Sequence, residues 1–233
     1  MADRLIKSLL SYETIKRLYK AYSQRHSTQM EAVVTENKNQ LYPVFLKLHE
    51  LQLLLVGAGN VGLEKLQSLL SNSPNANIVI VAPDIKDEVK NFVSGFSHVT
   101  IHQRRFEESD LDDKDLVILA TDDRELHKQI KISAEKKHLL INVADTPDLC
   151  DFYLGSIVQK GSLKIAISTD GKSPTIAKRM KEMFNEMLPE EIDAILDNMQ
   201  IIRNNLKGDF NDKIKQLNAL TSSLVAENNN YKS

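Results

Sequence analysis

The chain has 233 residues, which is enough for one domain of roughly 110 residues plus a smaller unit. Its 30 basic and 32 acidic side chains give a formal charge of −2, so overall charge gives no reason to expect a nucleic-acid or membrane partner, and we expect neither. The single cysteine, Cys150, excludes an intramolecular disulfide and a cysteine-cluster metal site. Because charges also interrupt the apolar residues of the N-terminus, we expect a cytoplasmic protein without a signal peptide.

Residues 1–40 predict a helical extension and a linker. Apolar residues from Leu5 to Tyr22 recur at spacings near three and four, which indicates an amphipathic helix. Residues 35–40 are polar and predict the linker. Met30 could itself begin translation, in which case residues 1–29 are an accessory segment.

Residues 41–150 predict the principal domain. From Leu51 onward, short apolar runs alternate with segments of helical periodicity, which is the pattern of βαβ units on a parallel sheet. The predicted strands are Leu51–Val56, Ala76–Val81, Val99–Gln103, Leu116–Ala120 and Leu139–Val143, and the predicted helices are Val61–Leu70, Asp84–Ser94 and Arg124–Lys137. We therefore expect an α/β fold with a Rossmann-type, doubly wound parallel sheet.

Residues 151–174 predict a β-hairpin that serves as a dimerisation region. Alternating apolar residues in Phe152–Val158 and Leu163–Ser168 flank a turn at Gln159–Ser162, which indicates two antiparallel strands. A hairpin appended to a parallel sheet leaves open edges that a second copy can pair. We therefore expect a homodimer through this segment.

Residues 175–233 predict a C-terminal helical region. Helical periodicity runs from Pro174 to about Val225 with a break at Leu188–Pro189, and residues 227–233 are expected to fray. The first of these helices carries an apolar face, which we interpret as core packing and not as a cofactor contact, formed by Ile176, Met180, Met183, Phe184 and Met187.

A glycine-rich motif directly follows the first predicted strand and opens the first predicted helix. It reads Gly57-Ala58-Gly59-Asn60-Val61-Gly62. In such a motif Gly57 allows the tight turn, Gly59 lets a pyrophosphate approach the backbone, and Gly62 permits close packing of helix on strand. The helix N-terminus adds amide donors for the phosphates. The motif predicts dinucleotide binding, and a glycine-rich turn without a nucleotide is the alternative.

The ends of the second and fourth predicted strands carry further candidates. Asp84 lies 22 residues after Gly62, where an acid commonly binds the ribose hydroxyls, although it could equally cap the next helix. No arginine stands there to receive a 2′-phosphate, so NAD is preferred over NADP, a preference that Lys86 weakens. Thr121 could contact the nicotinamide half of the cofactor, but Thr121 or Asp122 could instead cap the following helix.

Asp145 is the candidate acid/base residue. It follows the fifth predicted strand, and an aspartate at that edge, partly desolvated beside a cofactor cleft, is suited to proton exchange near neutral pH. The sequence Asp145-Thr146-Pro147 suits a plain turn equally well.

Ser173 and Pro174 predict a helix start, with serine as N-cap and proline at the first helical position. Amide donors there, with Lys172, Lys178 and Arg179 close in sequence, would hold the carboxylates of a polycarboxylate. The alternative is a well-capped helix without a ligand. The six histidines show no spacing typical of a zinc site, so we expect no bound metal.

In order and spacing these motifs resemble the precorrin-2 dehydrogenases. That family comprises stand-alone bacterial enzymes, the N-terminal half of the fused siroheme synthase, and a bifunctional yeast dehydrogenase/ferrochelatase. The resemblance runs from Leu41 to about Leu188 and rests on Leu41–Leu46, Val56–Lys65, Val81–Pro83, Ala120–Asp123, Asn142–Asp145 and Ile167–Pro174. Residues 1–40 have no counterpart in it.

The resemblance implies a homodimer that oxidises precorrin-2 to sirohydrochlorin with NAD⁺, for siroheme or cobalamin, in active sites between the NAD domain and the hairpin region. Asn60, Val61, Pro83 and Asp84 match the family's cofactor-contacting residues, and Asp145 matches its essential aspartate.

The candidate substrate contacts, taken from the motif that ends at Pro174, are Thr169, Lys172 and Ser173. Thr169 stands where the fused enzyme has a serine that can be phosphorylated, and a threonine could accept phosphate too. Some relatives also insert Fe²⁺ into the product, with the same carboxylate accepting pyrrole protons, so Fe²⁺ is a second candidate substrate. A non-catalytic NAD-binding regulatory module is the alternative from another functional class.

Overall fold

A computed structural model of the chain describes residues 39–221. The predicted helix between Leu5 and Tyr22, the candidate start at Met30, most of the predicted linker and the tail after residue 221 lie outside the described residues.

Five parallel strands form one sheet in the order β3-β2-β1-β4-β5. The strands are β1 (Gln52–Ala58), β2 (Asn77–Ile85), β3 (Val99–His102), β4 (Leu116–Leu119) and β5 (Leu140–Val143). Because β1 pairs with both β2 and β4, the direction of winding reverses beside β1, which is where open α/β sheets bind ligands. The predicted fold class is confirmed.

Helices cover both faces of this sheet, which explains the unbroken apolar runs of its strands. On one face, α1 (Asn60–Asn72) and α2 (Asp87–Val93) bury Leu66 and Val89 against alternate strand residues. On the other, α3 (Arg124–Lys136) buries Ile130 and Ala134 against Val117 and Ile141. Short 3₁₀ turns at Glu108–Leu111 and Pro147–Leu149 lie in the loops before β4 and after β5.

The second strand continues beyond its predicted end, and this corrects one interpretation of Asp84. After a shift of register, Ile85 pairs with Ala58, so β2 includes Pro83 and Asp84. The helix α2 begins at Asp87 with Lys86 as its N-cap. Asp84 therefore does not cap the next helix, and the sequence-based helix start at Asp84 is wrong.

A β-hairpin follows the sheet, formed by β6 (Ser156–Lys160) and β7 (Leu163–Ile167) around a two-residue turn. The predicted antiparallel pairing is confirmed, but the first strand begins four residues later than Phe152. Asn142 explains the difference, because its side-chain amide donates to the carbonyl oxygen of Phe152 and holds that residue beside β5.

The C-terminal segment forms α4 (Pro174–Met187), α5 (Ile192–Asn205) and α6 (Phe210–Thr221). The helix α4 packs on the hairpin through Ala177 and Phe184, and its methionines lie outside this contact. Interpreting the methionine face as core packing was therefore wrong for the single chain, in which Met183 and Met187 are 44% and 62% exposed. Among the described residues, none of the helices has the length and apolar character needed to cross a membrane.

Candidate active site

The glycine motif forms the turn between β1 and α1, and its geometry fits a dinucleotide. Gly57 has φ of +105°, and a Cβ there would stand 2.5 Å from the carbonyl oxygen of Ala120. A Cβ on Gly62 would overlap the carbonyl oxygen of Gly57, so helix and strand touch at this point. A Cβ on Gly59, in contrast, would have no neighbour within 4 Å. Two glycines are thus needed by the fold, whereas the third leaves open backbone that a phosphate can approach.

The exposed ends of β1 and β2 lie side by side at this turn. Lys86 donates from Nζ to Oδ1 of Asn60 at 2.6 Å, which links the start of α1 to the end of β2. Pro83 and Asp84 are exposed in the same strand end. Asp84 thus lies at the strand end where ribose hydroxyls are bound in such folds, and a lysine stands two residues after it.

The end of β4 brings Thr121 to the same edge of the sheet. The amide of Ala120 donates to the carbonyl oxygen of Val56, and a Cβ on Gly57 would stand 2.8 Å from Cγ2 of Thr121. The expected alternative that Thr121 or Asp122 caps α3 is wrong, because Asp123 is the N-cap and accepts from the amide of Leu126 at 3.0 Å.

His127 is a buried partner of Thr121 that the sequence did not identify. Its Nε2 lies 2.8 Å from Oγ1 of Thr121, only 3% of the residue is exposed, and Nδ1 has no hydrogen-bond partner. Burial lowers the pKa of His127, although the carboxylate of Asp123, a hydrogen bond with the backbone of Thr121 and the carboxylate of Asp122 oppose the shift. A usable signal was its position three and seven residues before Ile130 and Ala134, which places it on the apolar face of α3.

Asp145 stands at the end of β5, next to the end of β4. The amide of Ala144 donates to the carbonyl oxygen of Leu119 at 2.9 Å, so the pairing of the two strands continues up to the aspartate. Asp145 has φ of +56° in the turn that follows. Its side chain is exposed in the single chain, so the expected partial desolvation is not met there. The carboxylate is accessible to a substrate at the carboxyl edge of the sheet.

Two residues to which the sequence analysis assigned no structural role close the loop that carries Asp145. The Sγ of Cys150 accepts from the amide of Val143 at 3.2 Å and donates toward the carbonyl oxygens of Val143 and Thr146. Asp151 accepts from the amide of Ile141 at 3.0 Å, and its other carboxylate oxygen binds Nζ of Lys131 at 2.6 Å. The loop backbone is therefore fixed at both ends, and the side chain of Asp145 is exposed.

The three predicted substrate contacts lie together in the loop between β7 and α4. Ser173 is the N-cap of α4 and accepts from the amide of Ile176, as predicted, with Pro174 at the first helical position. The Oγ1 of Thr169 accepts from the amide of Ser173 at 3.2 Å, and Lys172 is exposed. These hydrogen bonds are local to the loop and α4, and they do not join it to the strand ends that carry the glycine motif and Asp145.

A groove of about 880 Å³ lies elsewhere, between α1 and the hairpin unit. Its walls include Ser68, Asn72, Gly155, Ile157 and Lys181, and none of the predicted site residues. The candidate cofactor cleft therefore lies at the strand ends and the glycine turn, and not in this groove. Within residues 39–221 no three His, Cys, Asp or Glu side chains are grouped so that they could hold a metal ion.

Comparison with known proteins adds two family models that match in succession along the chain. The first, described as "Putative NAD(P)-binding", matches residues 44–156. The second, described as "Sirohaem biosynthesis protein central", matches residues 160–187. The first model thus ends at the start of the hairpin, and the second covers most of the hairpin together with α4.

Curated relatives and a solved structure give the same assignment. The siroheme synthase of Pseudoalteromonas atlantica is 34% identical over 177 residues, which are 76% of this chain and 38% of that protein. The siroheme synthase of Tolumonas auensis is 32% identical over 75% of this chain and 34% of its own length. The chain thus spans little more than a third of these relatives. The solved structure titled "SirC, precorrin-2 dehydrogenase" matches with a TM-score of 0.63 and 26% identity, covering 77% of this chain and 89% of that one. Residues 44–187 are therefore similar in sequence to the siroheme synthases and in both sequence and fold to SirC.

Proposed function

We propose that this protein oxidises precorrin-2 to sirohydrochlorin with NAD⁺, as a step of siroheme synthesis. The observation that carries the proposal is the meeting of a dinucleotide-type glycine turn and an accessible carboxylate, Asp145, at one edge of the sheet. The similarity to SirC, a precorrin-2 dehydrogenase, supports the choice of substrate.

The cofactor would be held by the glycine turn and the neighbouring strand ends. Gly59 leaves backbone open to the pyrophosphate, and the first amides of α1 face that opening as donors. Further contacts would come from Gly57, Asn60, Val61, Gly62, Pro83, Asp84 and Thr121. Asp84 favours an unphosphorylated ribose, because a 2′-phosphate there would meet a carboxylate. Lys86 already donates to Asn60, so NAD is preferred over NADP.

Asp145 would accept the proton that leaves the substrate. When bound, the nicotinamide supplies the capacity to accept a hydride. Oxidation of precorrin-2 removes one hydride and one proton, so a base is needed beside the cofactor. Asp145 follows a strand that is paired up to Ala144, and its loop is fixed by Cys150 and Asp151. A fixed backbone with an accessible carboxylate holds the base in one place while the substrate enters, which favours catalysis through orientation.

The substrate carries several carboxylates, and the loop before α4 has chemistry that suits them. Thr169 and Ser173 use their oxygens to accept backbone hydrogen bonds, which leaves their hydroxyl protons available as donors. The exposed Lys172 adds a positive charge at the N-terminus of α4. We propose that this loop binds substrate carboxylates, and that Thr169 is the residue at which phosphorylation would interfere.

A homodimer would bring this loop to the cofactor edge of a second copy. The hairpin pairs only with itself within the described chain, so each strand has an open edge. Exposed apolar side chains on α4, Met180, Met183 and Met187 among them, offer surface that a second copy can bury. We accordingly propose a homodimer through the hairpin region, working in the cytoplasm.

The catalytic proposal is tested by replacing Asp145 with asparagine and assaying precorrin-2 oxidation under anaerobic conditions. We expect turnover to fall by about 100-fold or more, because a positioned general base contributes about 10²–10⁴-fold, while NAD⁺ affinity stays unchanged. Asp148→Asn is the matched control, because Asp148 is exposed in the same loop. Normal turnover in Asp145→Asn would refute the role of Asp145.

Insertion of Fe²⁺ into sirohydrochlorin is the second candidate activity, favoured by the same exposed carboxylate. Asp145 could accept pyrrole protons as the metal ion enters the ring, so the iron would be a substrate and not a resident cofactor. Adding Fe²⁺ or Co²⁺ to the finished dehydrogenase reaction tests this, because a chelatase converts the sirohydrochlorin spectrum faster than a protein-free control. A regulatory module would bind NAD⁺ and leave both spectra unchanged.

A further inference from the structure

The hydrogen bond between Thr121 and His127 has a defined direction, which bears on cofactor binding. Thr121 lies at the end of β4 against the glycine turn, and His127 lies one helical turn inside α3. Their side chains meet at 2.8 Å between Oγ1 and Nε2. Oγ1 also accepts from the backbone amide of Asp123 at 3.3 Å.

The buried Nδ1 atom decides which nitrogen of His127 carries the proton. Nδ1 has no hydrogen-bond partner, and the residue is 97% buried, since only 3% of it is exposed. A buried N–H without an acceptor is costly and rare in proteins, whereas a bare acceptor is better tolerated. The neutral ring is therefore protonated at Nε2, and this N–H donates to Oγ1 of Thr121. Burial also lowers the pKa of His127, which keeps the ring neutral.

Two donors then occupy the oxygen of Thr121 and leave its proton unused. A threonine hydroxyl has two acceptor lone pairs and one O–H donor. The amide of Asp123 and Nε2–H of His127 fill the acceptor positions. The hydroxyl proton is then the remaining hydrogen-bonding group of the Thr121 side chain, at the edge of the sheet beside the glycine turn.

We propose that His127 is a positioning residue that fixes Thr121 as a hydrogen-bond donor to an oxygen of the dinucleotide on its nicotinamide side. The inference rests on the proposed function for the identity of the cofactor. With the opposite tautomer, the hydroxyl of Thr121 would donate to His127 and could only accept from a ligand. The histidine therefore selects for an acceptor oxygen at this point of the cleft.

The first test needs no ligand. Protein labelled with ¹⁵N-histidine, at a pH above the ordinary histidine pKa, shows which ring nitrogen is protonated, and His127→Gln identifies the signal among the six histidines. Protonation at Nε2 is the expected result. Protonation at Nδ1 would overturn the proposal. The protonation state is read from the wild-type chain, and His127→Gln serves only to assign the signal.

The second test measures NAD⁺ affinity by calorimetry. Thr121→Val and His127→Leu should each weaken NAD⁺ binding by about three- to tenfold, the scale of one hydrogen bond. The double variant should be no weaker than Thr121→Val, because the two residues act through one hydroxyl. Thr121→Ser and His127→Gln retain the donors and should bind within about twofold of the wild type. His98→Gln, at an exposed histidine, is the matched control.

The outcomes separate this proposal from the proposed function. Wild-type affinity in both Thr121→Val and His127→Leu, or additive losses in the double variant, would overturn the positioning role. If NAD⁺ binds with the expected pattern while precorrin-2 is not oxidised, the dehydrogenase assignment fails and the positioning role stands. If the wild type does not bind NAD⁺, both fail.

Discussion

Gly57 and Gly59 stand two residues apart in one motif, yet their replacement by alanine should have opposite consequences. At Gly57 the backbone has φ of +105°, and the added Cβ would lie 2.5 Å from a carbonyl oxygen and 2.7 Å from a carbonyl carbon of Ala120. These are backbone atoms of a buried strand end, so they cannot yield as a flexible side chain can. At Gly59 the added Cβ would have no neighbour within 4 Å.

The cost at Gly57 combines backbone strain and steric overlap. A non-glycine residue in a sparsely populated conformation costs about 1–3 kcal/mol, and overpacking a close contact costs about 1–3 kcal/mol more. We therefore expect Gly57→Ala to lower the free energy of unfolding by about 2–6 kcal/mol, which corresponds to a fall in Tm of about 4–12 °C in a protein of this size.

Gly59→Ala should retain stability within about 1 kcal/mol, because losing an N-cap glycine and stiffening the unfolded chain offset each other. Its NAD⁺ affinity should fall about tenfold or more, since the new methyl occupies the opening that the pyrophosphate needs. Thermal unfolding followed by circular dichroism, with calorimetric NAD⁺ titration, measures both quantities. A stable Gly57→Ala, or a Gly59→Ala that unfolds early and binds NAD⁺ normally, would refute the reasoning.

Three further predictions concern titratable groups. Asp110 is partly buried, which raises its pKa, but hydrogen bonds from Arg104 and from the amide of Glu107 outweigh burial and hold the pKa below its ordinary value. The contribution of Asp110 to stability should thus be complete at a pH above the ordinary pKa and be lost as the pH falls through the lowered pKa. Urea unfolding of Asp110→Asn at several pH values should not show this loss. His127, with its pKa lowered by burial, should destabilise the fold progressively as pH drops below its ordinary value of 6.5, and His127→Gln should flatten that part of the pH profile; an unchanged profile would contradict the burial of a neutral ring. Burial raises the pKa of the Cys150 thiol, so iodoacetamide should label Cys150 far more slowly in the native protein at pH 8 than in urea, and equal rates would contradict the closed loop.

Local patterns predicted the centre of each element better than its ends. The runs Leu53–Val56 in β1 and Leu116–Leu119 in β4 are apolar throughout because both faces of the sheet are covered, and such runs are visible in the sequence. The end of β2 is set by a non-local pair, Ile85 with Ala58, so no pattern within residues 81–86 reveals that Asp84 belongs to the strand. The hairpin began late for a similar reason, since Asn142 holds Phe152 from a distant position.

Motifs in the backbone sequence predicted the position of the candidate site. The sequence analysis missed the side-chain contacts between different elements of the site. Gly57 and Asp145 were found because a glycine motif and a strand end mark positions along the chain. The contact of Thr121 with His127, and the closure of the Asp145 loop by Cys150, depend on folding of the loop and helix around them. The methionine face of α4 was misassigned because periodicity identifies an apolar face and does not tell whether this chain or a second copy covers it.

In the proposed reaction a hydride passes from precorrin-2 to NAD⁺ and a proton passes to Asp145. The most direct test measures the ratio of NADH to sirohydrochlorin formed, with each product followed by its own absorbance in the same anaerobic cuvette. We expect one NADH for each sirohydrochlorin formed by the wild type, and formation of both products about 100-fold slower or more with Asp145→Asn. Binding of NAD⁺ without any formation of NADH would contradict the proposed reaction and would favour the regulatory module.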